Sequence, residues 1–237
     1  MFNCEYFSSI YLSQRKGGRI MSPRTKEQNE EIRRQRQQEI LQAAMRVYVE
    51  KGYAASEVSD IADRAGLAHG LVFYYFKNKK NLFRALYEHM MEESRRYTDA
   101  FFAQNLPVLE LLETYARIVC ERVLENPVMS RFYMRISHDI HFLYTPDEIS
   151  PFDWVKGFML PMTRTIDRGI AEGEIRKGDA HLMAMQFWGS VSQGMAYLDQ
   201  SKQEMEAQGM PDAEVKIKLT GMLHQIVDSS VSLIKGG

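Results

Sequence analysis

From residue 21 onward, apolar residues recur at intervals of three and four, and no stretch sustains the apolar–polar alternation of a strand. Ile40, Leu41, Ala44, Val47 and Tyr48 form one stripe of a first helix, which Gly52 ends. Val58, Ile61, Ala62 and Ala65 supply the buried face of a second helix, with Ser56 placed to cap it and Glu57 and Asp60 near its positive end. Gly66 predicts a tight turn, and a short helix follows over about residues 68–75. Asn78 is placed to cap a fourth helix running through Leu82, Phe83, Leu86 and Met90. Five more are expected near 106–125, 127–143, 151–171, 179–200 and 212–234. Pro107, Pro127, Pro151 (behind Ser150) and Pro211 mark their starts, together with Asp179 as a cap. Pro161 falls inside a helix and predicts a kink. About nine helices and no strands predict an all-α protein.

Residues 1–20 carry no such period. Asn3, Ser8, Ser9 and Ser13 interrupt the aromatics, and the stretch lacks the basic start and sustained apolar run of a secretory signal. Met21 opens Met-Ser-Pro-Arg-Thr-Lys, and Lys16-Gly17-Gly18 is what a purine-rich ribosome-binding site spells when translated. Met21 is therefore read as the true start, with a flexible N-terminal tail as the alternative.

The net charge of −1 hides an uneven division. Residues 21–96 are net +3, whereas residues 97–237 are net −6. No acidic residue occurs between Asp63 and Glu88, a gap that holds Arg64, Lys77, Lys79, Lys80, Arg84 and His69. A positive field beside an acidic remainder points to nucleic acid at one end; a solvated basic helix end gives the same pattern. Two short helices joined at Gly66 form a helix-turn-helix, whose second helix can enter the DNA major groove. A packed three-helix core shows the same apolar positions, and the basic stretch downstream favours DNA.

The order Ile40-Leu-Gln-Ala-Ala44, Gly52-Tyr53, Val58 to Ala62, Ala65-Gly66-Leu67, Gly70, Phe73-Tyr-Tyr-Phe76 and Lys77-Asn-Lys79 resembles the DNA-binding domain of the tetracycline-repressor (TetR) family over about residues 36–86. The resemblance implies a DNA-binding head over residues 31–90, behind a flexible leader of residues 1–30, and an effector-binding and dimerisation domain over 91–237. It implies that Ala68, His69, Gly70 and Leu71 open the base-reading helix. Phe73 and Tyr74 are the aromatic pair facing the backbone. Lys77 and Lys79 meet phosphate, and Ser56 caps and touches phosphate. The chain departs from the family at Ala68 and Phe73, where a hydroxyl is usual, and at Asn81, where a capping Glu or Gln is usual. DNA affinity is then expected to lean on Lys77, Lys79, Lys80 and a basic arm of Arg24, Lys26, Arg33, Arg34 and Arg36. His69 can specify a base by hydrogen bonding, and Leu71 can meet a thymine methyl.

The remaining residues are Met- and aromatic-rich. Phe132, Tyr133, Trp154, Phe158, Met162, Met183 and Phe187 are expected to line an adaptable effector pocket, with an ordinary packed core as the alternative. Phe187, Val191, Met195 and Leu198 form one stripe, and Leu219, Met222, Leu223, Ile226, Val227 and Ile234 form another. These predict a four-helix bundle between two chains, unless both stripes bury within one. A homodimer suits a palindromic site on double-stranded DNA. The function implied is a repressor released by a small apolar effector.

Composition narrows the alternatives. Hydrophobic residues are 45% and charged residues 26%, ordinary for a globular chain. No window approaches the roughly 18 apolar residues of a membrane span. Cys4 and Cys120 are too few for a disulfide framework, which suits a reducing cytoplasm, and Cys120 reads as a buried small hydrophobe. No nucleophile elbow, phosphate loop or HExxH motif is present, so no catalytic residue and no cofactor are expected. His138 and His141 have metal-ligand spacing, but such a pair is ordinarily a partly exposed helix face. A metal-binding protein or enzyme built on them, and an architectural DNA-binding protein without effector, are the rival readings.

Overall fold

The computed structural model describes residues 25–148 and 151–235, the side chains of residues 151–156 excepted. Among the described residues there are nine helices: α1 Lys26–Ala55, α2 Val58–Ala65, α3 His69–Phe76, α4 Lys79–Phe102, α5 Val108–Glu125, α6 Val128–Leu143, α7 Pro151–Glu172, α8 Ala180–Ala207 and α9 Asp212–Ser232. Two compact units are distinguished, residues 1–38 and 39–237.

In the first unit the described residues begin at Thr25. The Thr25 N–H donates to Gln28 Oε1 (3.1 Å) and the Gln28 N–H donates to Thr25 Oγ1 (3.2 Å). This reciprocal capping box starts α1 at Lys26, inside the segment expected to be a flexible leader. Met21 and Arg24 lie outside the described residues.

The second unit opens on the apolar stripe of α1. Gly52 interrupts that helix at φ 77°, ψ 173°. Gly66 ends α2 in the left-handed region (φ 65°, ψ 34°), where it makes the expected inter-helix turn. Ile40, Tyr48, Ile61, Val72 and Phe83 pack in one core with Phe132, Ile136 and Leu143 of α6. A helix expected in the C-terminal domain thus completes the head's interior.

A second core gathers α5, α7, α8 and α9 around Leu112, Tyr115, Met162, Met183, Phe187 and Val227. Here the two stripes expected to pair between chains are buried within one chain. Phe187, Val191, Leu198, Leu219, Leu223, Val227 and Ile234 are all buried, with Met195, Met222 and Ile226 packed against them. The cause is a close α8–α9 approach: a Cβ on Gly194 would collide with the Ile226 side chain. Across the same seam the Ser190 and Ser230 hydroxyls lie 2.8 Å apart. The outer faces of these helices instead leave Leu182, Met185, Tyr197 and Ile217 exposed. Pro161 lies within α7, and the proposed cap Ser150 is outside the described residues. No helix among the described residues is long and apolar enough to cross a membrane.

Candidate nucleic-acid interface

Eight residues make α3, and their burial splits cleanly. Val72 and Phe76 turn into the core, while Ala68, His69, Gly70, Phe73, Tyr74 and Lys77 are exposed and Leu71 is half-buried. The spacing of 69, 70, 73, 74 and 77 puts the open set on one side of the helix. Tyr74 is 63% exposed and Phe73 40%, values that leave two rings uncovered beside each other. The His69 ring lies 4.8 Å from that of Phe73, and the Lys77 ammonium sits 5.5 Å from the Tyr74 ring centre. Ala68 precedes the first turn and offers no side-chain cap. Asn78 behaves as expected at the next helix, its Oδ1 accepting from the Asn81 N–H at 2.8 Å.

Several sequence-predicted contacts are corrected. Ser56 is fully buried and donates to the Gly52 carbonyl at 2.6 Å, so it neither caps α2 nor presents a hydroxyl to phosphate. Glu57 stands at the cap position, its N–H donating to Asp60 Oδ2 at 3.2 Å. The Lys51 ammonium beside Asp60, joined by that N–H, holds the Asp60 carboxyl below its usual range. Lys79 has a partner within the chain: its ammonium donates to the Ala54 carbonyl at 3.0 Å, at the surface, and lies 4.9 Å from the Tyr53 ring centre, which ties α4 to the end of α1. Arg64 pairs with Glu50, and Arg84 with Glu148. Of the basic stretch, Lys77 remains exposed on the open side of α3, and Lys80 is exposed in the first turn of α4. In the first unit, Lys26 and Arg33 are exposed on α1.

Behind this face stands a clasp that sequence reasoning missed. Asp139 Oδ2 accepts from the Tyr48 hydroxyl (3.0 Å) and from the Tyr53 N–H (3.3 Å). Arg135 donates to the Tyr48 and Val49 carbonyls at 3.1 and 2.7 Å, satisfying the end of α1 just before Gly52. One turn earlier, Arg131 forms a two-pronged pair with Asp199 of α8, both contacts 2.7 Å. The signal was present in the sequence: Arg131, Arg135 and Asp139 recur every fourth residue along one stripe of α6.

The expected effector set does not form one site. Phe132 is buried in the head core, 5.5 Å from the Tyr48 ring, and Tyr133 packs beside it with its hydroxyl donating to the Met90 carbonyl at 2.9 Å. Burial pushes the Tyr133 phenol up to about 12. Phe158, Met162, Met183 and Phe187 belong to the other core. The Trp154 side chain lies outside the described residues. The two rival histidines are exposed; His141 Nδ1 lies 2.8 Å from the His138 carbonyl oxygen, and the intervening Asp139 serves the clasp. Among the described residues no group of three or more His, Cys, Asp or Glu could hold a metal ion.

Comparison with known proteins places this geometry. Residues 40–86 match the family described as bacterial regulatory proteins, tetR family. The fatty acid metabolism regulator protein of Bacillus subtilis is 22% identical over 196 residues, spanning 80% of this chain and 97% of its own. The HTH-type transcriptional regulator TtgR of Pseudomonas putida is 27% identical over 165 residues, 65% of this chain and 75% of that one. The fold matches the crystal structure of the transcriptional regulator FadR from Bacillus subtilis in complex with stearoyl-CoA, with TM-score 0.60 and 22% identity over 83% of this chain and 98% of that one. The helix-turn-helix head, with its open reading helix, is therefore a DNA-binding domain of the tetR-family type over residues 40–86, and the chain that joins it to a larger helical core is a DNA-binding transcriptional regulator.

Proposed function

We propose that the chain is a dimeric repressor, acting in the cytoplasm, that reads a palindromic DNA site through α3 and is released by an apolar effector of acyl-chain type. The open face of α3 carries the reading. His69 and Leu71 serve as base readers there, with Lys77 and Lys80 as phosphate anchors and Lys26 and Arg33 as further backbone contacts. Two copies pair through the outer faces of α8 and α9, where Leu182, Met185, Tyr197 and Ile217 are uncovered. The effector enters the core of α5, α7 and α8. Its Met162, Met183 and Phe187 are polarisable or broad side chains that repack around varied apolar shapes. Likeness to a Bacillus subtilis regulator of fatty acid metabolism, and to the FadR fold solved with stearoyl-CoA, supports the acyl class. Release follows if the ligand favours the conformation that binds DNA less well, by its difference in binding free energy.

A salt titration tests this. The chain is used to select sites from a random-sequence duplex pool, and affinity for the selected duplex is measured against salt with and without a long-chain acyl-CoA. Expected are a steep loss of affinity with salt, a salt slope lowered by about one in Lys77→Ala, and release by acyl-CoA. Failure to select any duplex ends the reading. Selection without release by acyl-CoA removes the effector class and leaves the DNA function standing.

A further inference from the structure

Resting on that reading, we propose that Tyr115 of α5 recognises the carbonyl of an acyl effector, by passing to it a phenol proton that Thr98 of α4 otherwise holds loosely. Tyr115 is 2% exposed. Its hydroxyl lies 3.2 Å from Thr98 Oγ1, and by distance alone either atom could donate. Counting protons fixes the direction. Thr98 has one, and donates it to the Ser94 carbonyl of its own helix at 2.8 Å. The Tyr115 phenol is therefore the donor to Thr98. Burial pushes that phenol up to about 12, so the proton is present at neutral pH.

Other buried hydroxyls of this core are committed to peptide carbonyls. Thr165 donates to the Pro161 carbonyl at 3.0 Å, and Ser230 to that of Ile226 at 2.7 Å. The Tyr115 proton goes instead to a hydroxyl oxygen, at a length beyond the usual O–H···O distance of about 2.7–2.8 Å. A carbonyl arriving beside the phenol offers a shorter bond, and the Thr98 proton stays with Ser94 throughout. The surroundings give the approach an order. The Tyr115 ring is flanked by those of Tyr97 (6.4 Å) and Trp188 (6.1 Å). Over Tyr97 lies the exposed guanidinium of Arg122, at 4.2 Å, and against Trp188 lies Phe158, at 5.0 Å. A surface cation, a buried phenol and then apolar rings succeed one another along this row. An acyl-CoA has the matching order of phosphates, thioester carbonyl and aliphatic chain.

The test measures binding to the full chain of stearoyl-CoA and of S-octadecyl-CoA, a thioether with a methylene in place of the carbonyl. The wild type should prefer the thioester about fivefold, the worth of one net hydrogen bond. Tyr115→Phe keeps the ring and should abolish that preference. Thr98→Val removes the oxygen that holds the proton and should widen it. A wild type that fails to prefer the thioester, a Tyr115→Phe chain that still prefers it, or a Thr98→Val chain whose preference does not widen overturns the proposal. Thr98→Val decides the matter should Tyr115→Phe fail to fold. A wild type that binds neither ligand overturns instead the acyl reading beneath it, before either variant is compared.

Discussion

The two cores of the second unit are built differently. Around α3 the interior is mostly of aliphatic and ring side chains. Among the described residues Met90 is its one buried methionine, with Met45, Met91 and Met129 at its edge. The boundary with α6 is fixed by directed hydrogen bonds from Arg135, Tyr48 and Tyr133. The core of α5, α7, α8 and α9 buries Met159, Met162, Met183 and Met205, with Met195, Met210 and Met222 packed at its edge. Hydrogen bonds to backbone carbonyls admit one geometry, whereas thioethers accept many. The first arrangement suits a surface that must match DNA in one register. The second suits a region that must change its packing when something binds.

The strongest test of that contrast is Phe132, which lies in α6 yet is fully buried in the head core. Phe132→Ala should cost about 3–5 kcal/mol. Phe187→Ala, equally buried in the other core, should cost a similar amount. Hydrogen exchange separates them: protection should fall in α1–α3 for Phe132→Ala and in α5, α7 and α8 for Phe187→Ala. If Phe132→Ala loosened α7 and α8 instead, the division into two cores would be wrong.

That division also explains what could be read beforehand. The head was legible because its signals are local: Gly52 and Gly66 supply breaks that only particular backbones allow, Asn78 is a cap, and Val72 and Phe76 alternate with an open face along eight residues. Helix positions after Arg96 were equally legible from Pro107, Asp179 and Pro211. What failed there was partnership. An apolar stripe such as Leu219, Leu223 and Val227 states that a face is buried, and says nothing of whether the cover comes from the same chain. Phe132 and Met162 carry the same apolar signal and lie in different cores. Ser56 failed for a related reason: a hydroxyl before a helix fits a cap, but here the Gly52 carbonyl claimed it. The role of Asp139 is hidden by distance, because its partners Tyr48 and Tyr53 lie 91 and 86 residues away along the chain.

The α8–α9 seam sharpens the contrast, being the tight part of an otherwise adaptable core. Gly194→Ala forces a methyl into Ile226 and should destabilise the chain by about 1–3 kcal/mol. The same change in an Ile226→Ala background should cost markedly less, since the colliding atoms are gone. Urea denaturation of the four proteins gives the coupling directly. Equal costs in both backgrounds would mean that helix packing there does not depend on the close approach.

The smallest effect belongs to the outer edge of the head. Glu148 accepts from the Thr145 N–H at 2.9 Å and pairs with the Arg84 guanidinium, whose Nε also donates to the Leu143 carbonyl at 2.7 Å. The Thr145 N–H and then Arg84 hold the Glu148 carboxyl down to about 2, against an ordinary value of 4.5. A carboxyl depressed on folding contributes stability above its unfolded value and loses it as pH falls toward the folded one. Glu148→Gln should therefore lower the unfolding midpoint slightly at neutral pH, and the gap from the wild type should close between pH 4.5 and about 2. The pair is solvent-exposed, so salt should shrink the gap as well. A gap that persists unchanged at the acid end would show that Glu148 acts through its shape and hydrogen bonds rather than its charge. The end of α6 is in either case also held to α4 by the Arg84 bond to the Leu143 carbonyl and by Tyr144, whose hydroxyl donates to Glu88 at 2.8 Å.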